Sequence, residues 1–137
     1  MTSKQGASSP ATVGMTVTHR RYVPYSHAHY AGNLEDGAYS LAAFGDVATE
    51  MCISTDGDEG LFASYSDVQF RAPVRAGDCI EIEATLVRVG SRSREMSFEV
   101  RVVTRSNPAG GESAADLLTD PIVATSARGV VVVPVNT

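Results

Sequence analysis

The sequence predicts an α+β fold in which one long helix packs against a curved antiparallel sheet of five to six strands. Apolar side chains recur at three- and four-residue spacing between residue 37 and about residue 55, which indicates an amphipathic helix. After residue 61, four segments rich in Val, Ile, Phe and Thr alternate with turn-forming residues and predict strands. Because a sheet covers only one side of such a helix, we expect a homodimer, or a larger assembly of dimers, to bury the rest.

The first predicted elements are a loose tail, a strand and a long loop. Residues 1–14 are mostly small and polar, so we expect a flexible tail before a single domain over residues 15–137. The alternation of β-branched and polar residues at 15–23 predicts the first strand. Pro, Ser, Gly, Asn and Asp at 24–36 predict a loop, and Asp36 is a suitable N-cap for the helix that follows.

The rest of the chain predicts a sheet. An acidic segment at 55–60 contains two glycines and ends the helix. The predicted strands are 61–70, 78–89, 96–104 and 122–133. The stretch 106–121 contains Pro, Gly, Asn and Ser, and it predicts a long excursion from the sheet with a short helical turn at 114–118.

The composition argues against several classes of protein. The net charge of −5 argues against nucleic-acid binding, which requires a basic face. No apolar run approaches the roughly 20 residues that span a bilayer, and the N-terminus lacks the apolar segment of a secretory signal. Cys52 and Cys79 are isolated, which favours reduced thiols over a disulfide. We therefore expect a cytoplasmic protein with no membrane contact and no metal site.

Two carboxylates on the predicted helix are the first candidates for catalysis. Asp46 and Glu50 are four residues apart and therefore lie on one face of the helix. Asp46 follows Gly45, and two poor helix formers inside a helix often mark a functional position. Apolar neighbours leave little of the helix for water, so we expect the two carboxyls to lie in a nearly dry site as acid and base. The alternative is an ordinary solvated face.

The start of the helix is the second candidate. Gly32 and Gly37 permit a ligand to approach backbone N–H groups closely. Unpaired donors at a helix start, together with the helix dipole, stabilise negative charge that develops on a carbonyl oxygen. The alternative is that both glycines only shape the loop. His29, beside Tyr30, is a candidate for lining the same site, whereas His27 is expected to be a hydrogen-bonded loop residue.

Charged residues at turns are candidates for binding other parts of a substrate. Glu59 belongs to an acidic turn that would attract a cationic group, although such turns are more often simply solvated. Three arginines bracket one turn between strands and are candidates for holding a phosphate-bearing tail; they are Arg88, Arg92 and Arg94. The alternative for the arginines is an ordinary charged hairpin.

The layout resembles the hotdog fold of acyl-CoA thioesterases and hydratases, in which an antiparallel sheet wraps a central helix. The connections at 70–78 and 88–93 are similar to those usual in that fold. A more specific resemblance, over about residues 16–105, is to the 3-aminobutyryl-CoA and β-alanyl-CoA ammonia-lyases of amino-acid fermentation. It rests on three runs, HAHYAGNLEDG at 27–37, FGDVATE at 44–50 and DGDEGLF at 56–62.

This resemblance implies the reversible elimination of ammonia from a β-aminoacyl-CoA to give an enoyl-CoA. It implies that Asp46 and Glu50 are catalytic, one taking the α-proton and the other pairing with the β-ammonium. The substrate-binding residues would be His29, Tyr30, Asn33, Asp36, Gly37 and Glu59, with backbone donors at 33–37 holding the enolate. CoA would be part of the substrate, bound between the subunits of a homodimer, and no separate cofactor is implied.

Other activities remain open on the sequence. A hotdog thioesterase would use the same helix carboxylate to activate water, and an enoyl-CoA hydratase would add water in place of ammonia. A non-catalytic acyl-CoA-binding dimer is a further alternative. The number of acids around the predicted site favours the lyase, because acids suit a cationic acyl chain better than a plain fatty one.

Overall fold

The computed structural model describes residues 9–134, and its elements confirm the predicted order. The elements are β1 (Thr16–Tyr22), α1 (Gly37–Asp56), β2 (Leu61–Phe70), β3 (Cys79–Val89), β4 (Ser93–Ser106) and β5 (Ala115–Val132). The strands form one antiparallel sheet in the spatial order β1-β3-β4-β5-β2. The predicted α+β fold is confirmed with five strands, and β1 and β2 form its two edges.

The ends of α1 follow from local signals in the sequence. Asp36 is the N-cap, and its side chain accepts a hydrogen bond from the backbone N–H of Tyr39 at 3.1 Å. At the other end Gly57 adopts the left-handed conformation, with a φ of 66°, and its N–H donates to the carbonyl of Ile53. Both the predicted cap and the predicted stop are confirmed.

The core lies between α1 and one face of the sheet. Along β3 and β4 every second residue is buried, so each strand has one face toward the helix. The helix contributes a buried stripe to the same core, and Phe44 stacks on Phe98 of β4 with ring centroids 5.0 Å apart. The opposite side of the helix is exposed at Ala38, Ala42 and Ile53, as expected for a helix covered by a sheet on one side only.

The hairpin between β4 and β5 differs from the prediction. The expected excursion at 106–121 is only an eight-residue connection, because β5 already begins at Ala115 and pairs with the end of β4. The helical turn predicted at 114–118 is therefore wrong. Pro121 and its polar neighbours suggested a break in the chain. The pairing of β4 with β5 instead continues past Pro121, with register shifts close to Val102, in a part of the hairpin that is largely exposed.

Residues 1–8 of the predicted tail lie outside the described residues. From Ser9 onward the chain lies on the domain: the N–H of Ser9 donates to the carbonyl of Ser54, and that of Gly14 donates to the carbonyl of Leu86. Over residues 9–134, no helix has the length and apolarity needed to cross a membrane. Over the same residues, no group of His, Cys, Asp and Glu side chains converges as metal ligands do.

Candidate active site

The loop before α1 is anchored to the turn that precedes β3. The N–H of Glu35 donates to the carbonyl of Val74 at 2.9 Å, and the N–H of Ala76 donates to the carbonyl of Asn33 at 2.8 Å. Gly32 and Asn33 both have positive φ, at 76° and 60°, which turns the chain toward the helix. The loop therefore fixes the position of the helix start rather than hanging freely in front of it.

A groove of about 470 Å³ opens at this helix start. One wall is the beginning of α1, and the other is the segment 70–74 that follows β2. The N–H of Tyr39 is taken by the cap, but the N–H groups of Gly37 and Ala38 donate to no acceptor within residues 9–134. Gly37 lines the groove, so its free N–H lies there at the positive end of a 20-residue helix, a site suited to negative charge on a carbonyl oxygen.

Gly37 permits close packing at the mouth of this groove. A Cβ atom on Gly37 would lie 2.6 Å from ring atoms of Phe70, far inside van der Waals contact. The ring of Phe70 therefore covers the first turn of the helix, although its outer side is exposed. Deeper in the groove, the buried hydroxyls of Ser40 and Thr125 hydrogen bond to each other at 3.1 Å.

Glu35 also lines the groove, and sequence reasoning did not select it. The residue is only 8% exposed, and its Oε1 atom has no hydrogen-bond partner among the described residues. Burial raises the pKa of this carboxyl, with a further rise from neighbouring Asp36 and an opposing effect from His27 and His29. The available signal was an acid directly before the N-cap. Its burial depends on Val74 and other residues distant in the sequence.

Four predicted site residues do come together at the groove. Tyr30, Asp36 and Gly37 line it, and the Nδ1 atom of His29 lies 3.7 Å from a carboxylate oxygen of Asp36. The rings of His29 and Tyr30 pack edge to face with centroids 4.6 Å apart. The structure therefore brings together the residues that were predicted to line the helix start. Asn33 lies beside them and is exposed.

Asp46 and Glu50 lie elsewhere, on the exposed side of α1 that faces β1. Asp46 accepts from Arg21 at 2.9 Å with its side chain 62% exposed, and Glu50 pairs with His19 at 2.8 Å with its side chain 55% exposed. The expected dry site for this pair is therefore not present in the protomer. The apolar neighbours of the pair belong to the opposite, sheet-facing side of the helix, so a dry environment for Asp46 and Glu50 requires a second protomer.

The length of the helix also separates this pair from the groove. Asp46 and Glu50 follow Gly37 by nine and thirteen residues on one continuous helix. At the rise of an α-helix these separations are about 13 and 20 Å. The Cα and Cβ atoms of an acyl group lie within a few ångströms of the thioester oxygen. Within one protomer, therefore, neither carboxylate reaches an acyl group whose carbonyl is bound at the helix start.

The predicted residues at the far end of α1 divide into two groups. Glu59 and Arg92 line a second cavity of about 510 Å³, and Arg88 is exposed at the end of β3. The side chain of Arg94 is only 9% exposed and binds Asp56 through two nitrogens, at 2.7 and 3.0 Å. The guanidinium of Arg94 is thus engaged inside the fold, whereas Arg88 and Arg92 are accessible to a ligand.

Comparison with known proteins identifies the family. A sequence model of the thioesterase superfamily matches residues 37–109. The 3-aminobutyryl-CoA ammonia lyase of Acetoanaerobium sticklandii is 52% identical over 107 residues, which cover 78% of this chain and 85% of that protein. The solved β-alanyl-CoA:ammonia lyase of Clostridium propionicum has a TM-score of 0.83 and 33% identity, covering 89% of this chain and 87% of that one.

A hexameric hotdog-fold thioesterase of Campylobacter jejuni has a TM-score of 0.70 at 22% identity, over 85% of this chain and 81% of that one, a likeness that shows the fold alone. The two ammonia lyases share both fold and much of the sequence with this protein. The chain therefore belongs to the thioesterase superfamily of hotdog-fold proteins, in the branch of the 3-aminobutyryl-CoA and β-alanyl-CoA ammonia-lyases.

Proposed function

We propose that the protein catalyses the reversible elimination of ammonia from a short β-aminoacyl-CoA. The substrate is 3-aminobutyryl-CoA or β-alanyl-CoA, and the product is crotonyl-CoA or acryloyl-CoA. The observation that carries this proposal is the 52% identity to a 3-aminobutyryl-CoA ammonia lyase over most of both chains. The groove at the start of α1 supports it, because it combines free backbone donors with acidic side chains.

In this proposal the thioester oxygen accepts hydrogen bonds from the N–H groups of Gly37 and Ala38. These donors and the helix dipole stabilise the enolate that forms when a carboxylate removes the α-proton. The electron pair of the broken C–H bond then forms the double bond, and the C–N bond breaks with its electrons going to nitrogen. Neutral ammonia leaves from the β-ammonium, and the protonated carboxyl returns its proton to ammonia or to water.

The substrate carries a positive charge, and the groove suits it. Two carboxylates, Glu35 and Asp36, lie side by side at the helix start, and neither forms an ion pair with Arg71 across the groove or with another arginine or lysine among the described residues. An ammonium group near them is stabilised by Coulomb attraction, whereas a plain fatty acyl chain would not benefit. CoA is the carrier part of the substrate, and we propose no separate cofactor. Its phosphates pair with the two exposed arginines Arg88 and Arg92, and Glu59 lines the same cavity as Arg92.

A role for Asp46 and Glu50 in this reaction requires a second protomer. Since both lie too far from the helix start of their own chain, either acts only on a thioester bound in the groove of a partner. We propose a homodimer, alone or as the unit of a larger assembly, that places the face of α1 with Asp46 and Glu50 opposite the groove of the partner subunit. The ten-residue edge strand β2 supports association, because Leu61 and Phe70 at its two ends expose large apolar side chains.

We place the protein in the cytoplasm. The two cysteines are free thiols, with Cys52 buried in the core and Cys79 partly covered. Reduced cysteines in a folded domain are typical of a reducing compartment.

One assay separates the proposed reaction from its alternatives. Purified protein is mixed with 3-aminobutyryl-CoA or β-alanyl-CoA, and ammonia, enoyl-thioester absorbance and free CoA thiol are followed in parallel. We expect ammonia and enoyl absorbance to rise together without thiol release. Thiol release without enoyl product would identify a thioesterase. Addition of water to crotonyl-CoA faster than addition of ammonia would identify a hydratase, and binding without any turnover would identify a non-catalytic acyl-CoA receptor.

A further inference from the structure

The described part of the chain contains one buried carboxylate that the fold itself does not use. Glu35 is more than nine-tenths buried, it lines the groove, and its Oε1 atom has no hydrogen-bond partner within residues 9–134. Asp78, which is buried more deeply, is fully engaged by comparison: it receives two bonds from Arg105 and one from the N–H of Arg75. Glu35 thus differs from a structural buried acid.

A buried acceptor without a partner weakens the folded state, so its presence calls for an explanation outside the fold. Replacement by an apolar residue would remove the cost and fill the same space beside Val74. The backbone N–H of Glu35 donates to the carbonyl of Val74 at 2.9 Å, so the main chain that carries this side chain is anchored at the groove. An acid that is shielded, fixed and unpaired at the edge of a ligand-sized groove matches the requirements for proton transfer to a bound molecule.

We infer that Glu35 is the catalytic residue that removes the α-proton of the acyl-CoA bound in the groove of the same protomer. This inference rests on the proposed function. The carboxylate takes the proton from Cα, the C–H electron pair forms the Cα–Cβ double bond, and the C–N pair leaves with ammonia. The neutral carboxyl of Glu35 then returns its proton to the departing ammonia, which restores the starting state and releases ammonium.

Distance favours Glu35 over the acids on the helix. Glu35 precedes Gly37 by two residues, so their Cα atoms are at most about 7 Å apart. A carboxylate at that position reaches an α-carbon whose carbonyl oxygen is bound by the N–H groups of Gly37 and Ala38. Asp46 lies about 13 Å along the helix from the same donors and requires a partner subunit to act there.

The charges around Glu35 also suit a base. His27 and His29 in the loop lower its pKa when they are protonated, and Asp36 raises it, while burial raises it most. Among the residues that line the groove, Arg71 carries a positive charge; it lies on the opposite wall and forms no ion pair with Glu35. A carboxyl whose pKa is raised is a stronger base than an exposed glutamate once it is deprotonated.

The test compares Glu35→Gln with Glu112→Gln, a matched control in the exposed turn between β4 and β5. We expect Glu35→Gln to lower kcat for ammonia elimination at least 100-fold, the scale for loss of a positioned base, with a much smaller rise in KM because Asp36 remains to attract the ammonium. Glu112→Gln should behave as wild type. Glu35→Asp keeps the carboxylate but withdraws it by one methylene, so we expect an intermediate loss of about 10-fold or more.

A second measurement follows the proton itself. Butyryl-CoA has an α-proton but no leaving group, so its exchange with deuterium in D2O, followed by NMR, reports proton removal alone. We expect exchange with wild type and Glu112→Gln and at least a 100-fold slower exchange with Glu35→Gln. Thermal unfolding of Glu35→Gln should occur at or above the wild-type temperature, which excludes misfolding as the cause.

Two results would overturn the inference. One is Glu35→Gln that keeps both turnover and exchange within threefold of wild type. The other is loss of exchange in Asp46→Asn or Glu50→Gln while Glu35→Gln retains it. Failure of the proposed function is distinguishable from both, because it appears in the wild type as absence of ammonia release, whereas α-proton exchange into butyryl-CoA still tests Glu35.

Discussion

Substitution of Arg94 distinguishes a structural arginine from one that binds CoA. The guanidinium donates to both oxygens of Asp56, at 2.7 and 3.0 Å, and to the carbonyls of Gly90 and Ser93, each at 2.9 Å. It therefore connects the C-terminal end of α1 to the turn between β3 and β4. Because the side chain is nearly buried, Arg94→Met leaves the carboxylate of Asp56 without its charged partner.

The expected loss of stability follows from this geometry. Removing one member of a buried ion pair costs about 3–5 kcal/mol. The side chain of Asp56 keeps 20% exposure, so water replaces part of the lost interaction and we expect about 3 kcal/mol. For a domain of this size that corresponds to a fall in Tm of about 10 °C. Arg94→Lys, which keeps the charge but not the two-pronged geometry, should lose roughly half as much.

The pH dependence gives a second, independent check. Hydrogen bonding from Arg94 holds the pKa of Asp56 below its usual value, despite an opposing effect of burial. A carboxyl with a lowered pKa in the folded state stabilises the fold above its unfolded pKa, and it loses that contribution as the pH falls through the folded value. The difference between wild type and Arg94→Met should therefore be constant near neutral pH and shrink below about pH 4.

The assay is urea unfolding followed by circular dichroism between pH 3 and pH 7, with KM for the CoA thioester measured on the same proteins. Asp56→Asn in the Arg94→Met background should recover part of the lost stability, since no unpaired charge remains. An Arg94→Met protein that loses less than about 1 kcal/mol while its KM rises tenfold would refute this reasoning and return Arg94 to the CoA-binding residues.

Three further predictions concern the site and the core. If each groove uses Asp46 of the partner subunit, Asp46→Asn chains and Glu35→Gln chains are inactive alone but recover activity when they are co-assembled. We expect about a quarter of wild-type activity, because half of the dimers are mixed and each mixed dimer has one intact site of two. Absence of recovery excludes that arrangement. Gly37→Ala should displace the ring of Phe70 and cost about 1 kcal/mol, restored by Phe70→Leu in the same chain. Burial raises the pKa of the Cys52 thiol to about 11, so at pH 8 a thiol reagent should modify Cys52 only on unfolding. Peptide mass spectrometry separates Cys52 from the partly covered Cys79, and prompt labelling of Cys52 in the native protein would contradict its burial.

The parts of the structure that were predictable from sequence depend on neighbouring residues. Asp36 as N-cap and Gly57 as the stop are signals carried within one turn of the helix ends, and alternation along β3 needs no knowledge of its partners. Pairings across long separations were not predictable. Arg94 was expected at a turn that binds phosphate, but it forms a nearly buried ion pair with Asp56, which is 38 residues away in the sequence. The extension of β5 past Pro121 depends likewise on pairing with β4.

The candidate site likewise divides into parts that local sequence signals predict and parts that depend on residues distant in the sequence. The helix start was identified because glycines and a capping acid lie next to each other in the sequence, and Tyr30, Asp36 and Gly37 among the residues predicted there line the groove. The faces of α1 were assigned less well, because periodicity shows which residues share a face and not which face the sheet covers. Glu35 was missed for a related reason: its burial comes from the segment that follows β2, which no local pattern in the loop indicates.

The position of a carboxylate relative to a polarised carbonyl explains how one fold serves both hydrolysis and elimination. Both reactions begin with a thioester oxygen at free N–H groups such as those of Gly37 and Ala38. An acid that holds water over the carbonyl carbon leads to hydrolysis, whereas one that contacts the α-hydrogen leads to elimination. Glu35 is held by its backbone bond to Val74 and shielded by burial, and an acyl chain in the groove shields it further. In the inferred arrangement the buried carboxylate of Glu35 faces the α-carbon rather than a water over the carbonyl carbon, so the groove would favour loss of ammonia over cleavage of the thioester.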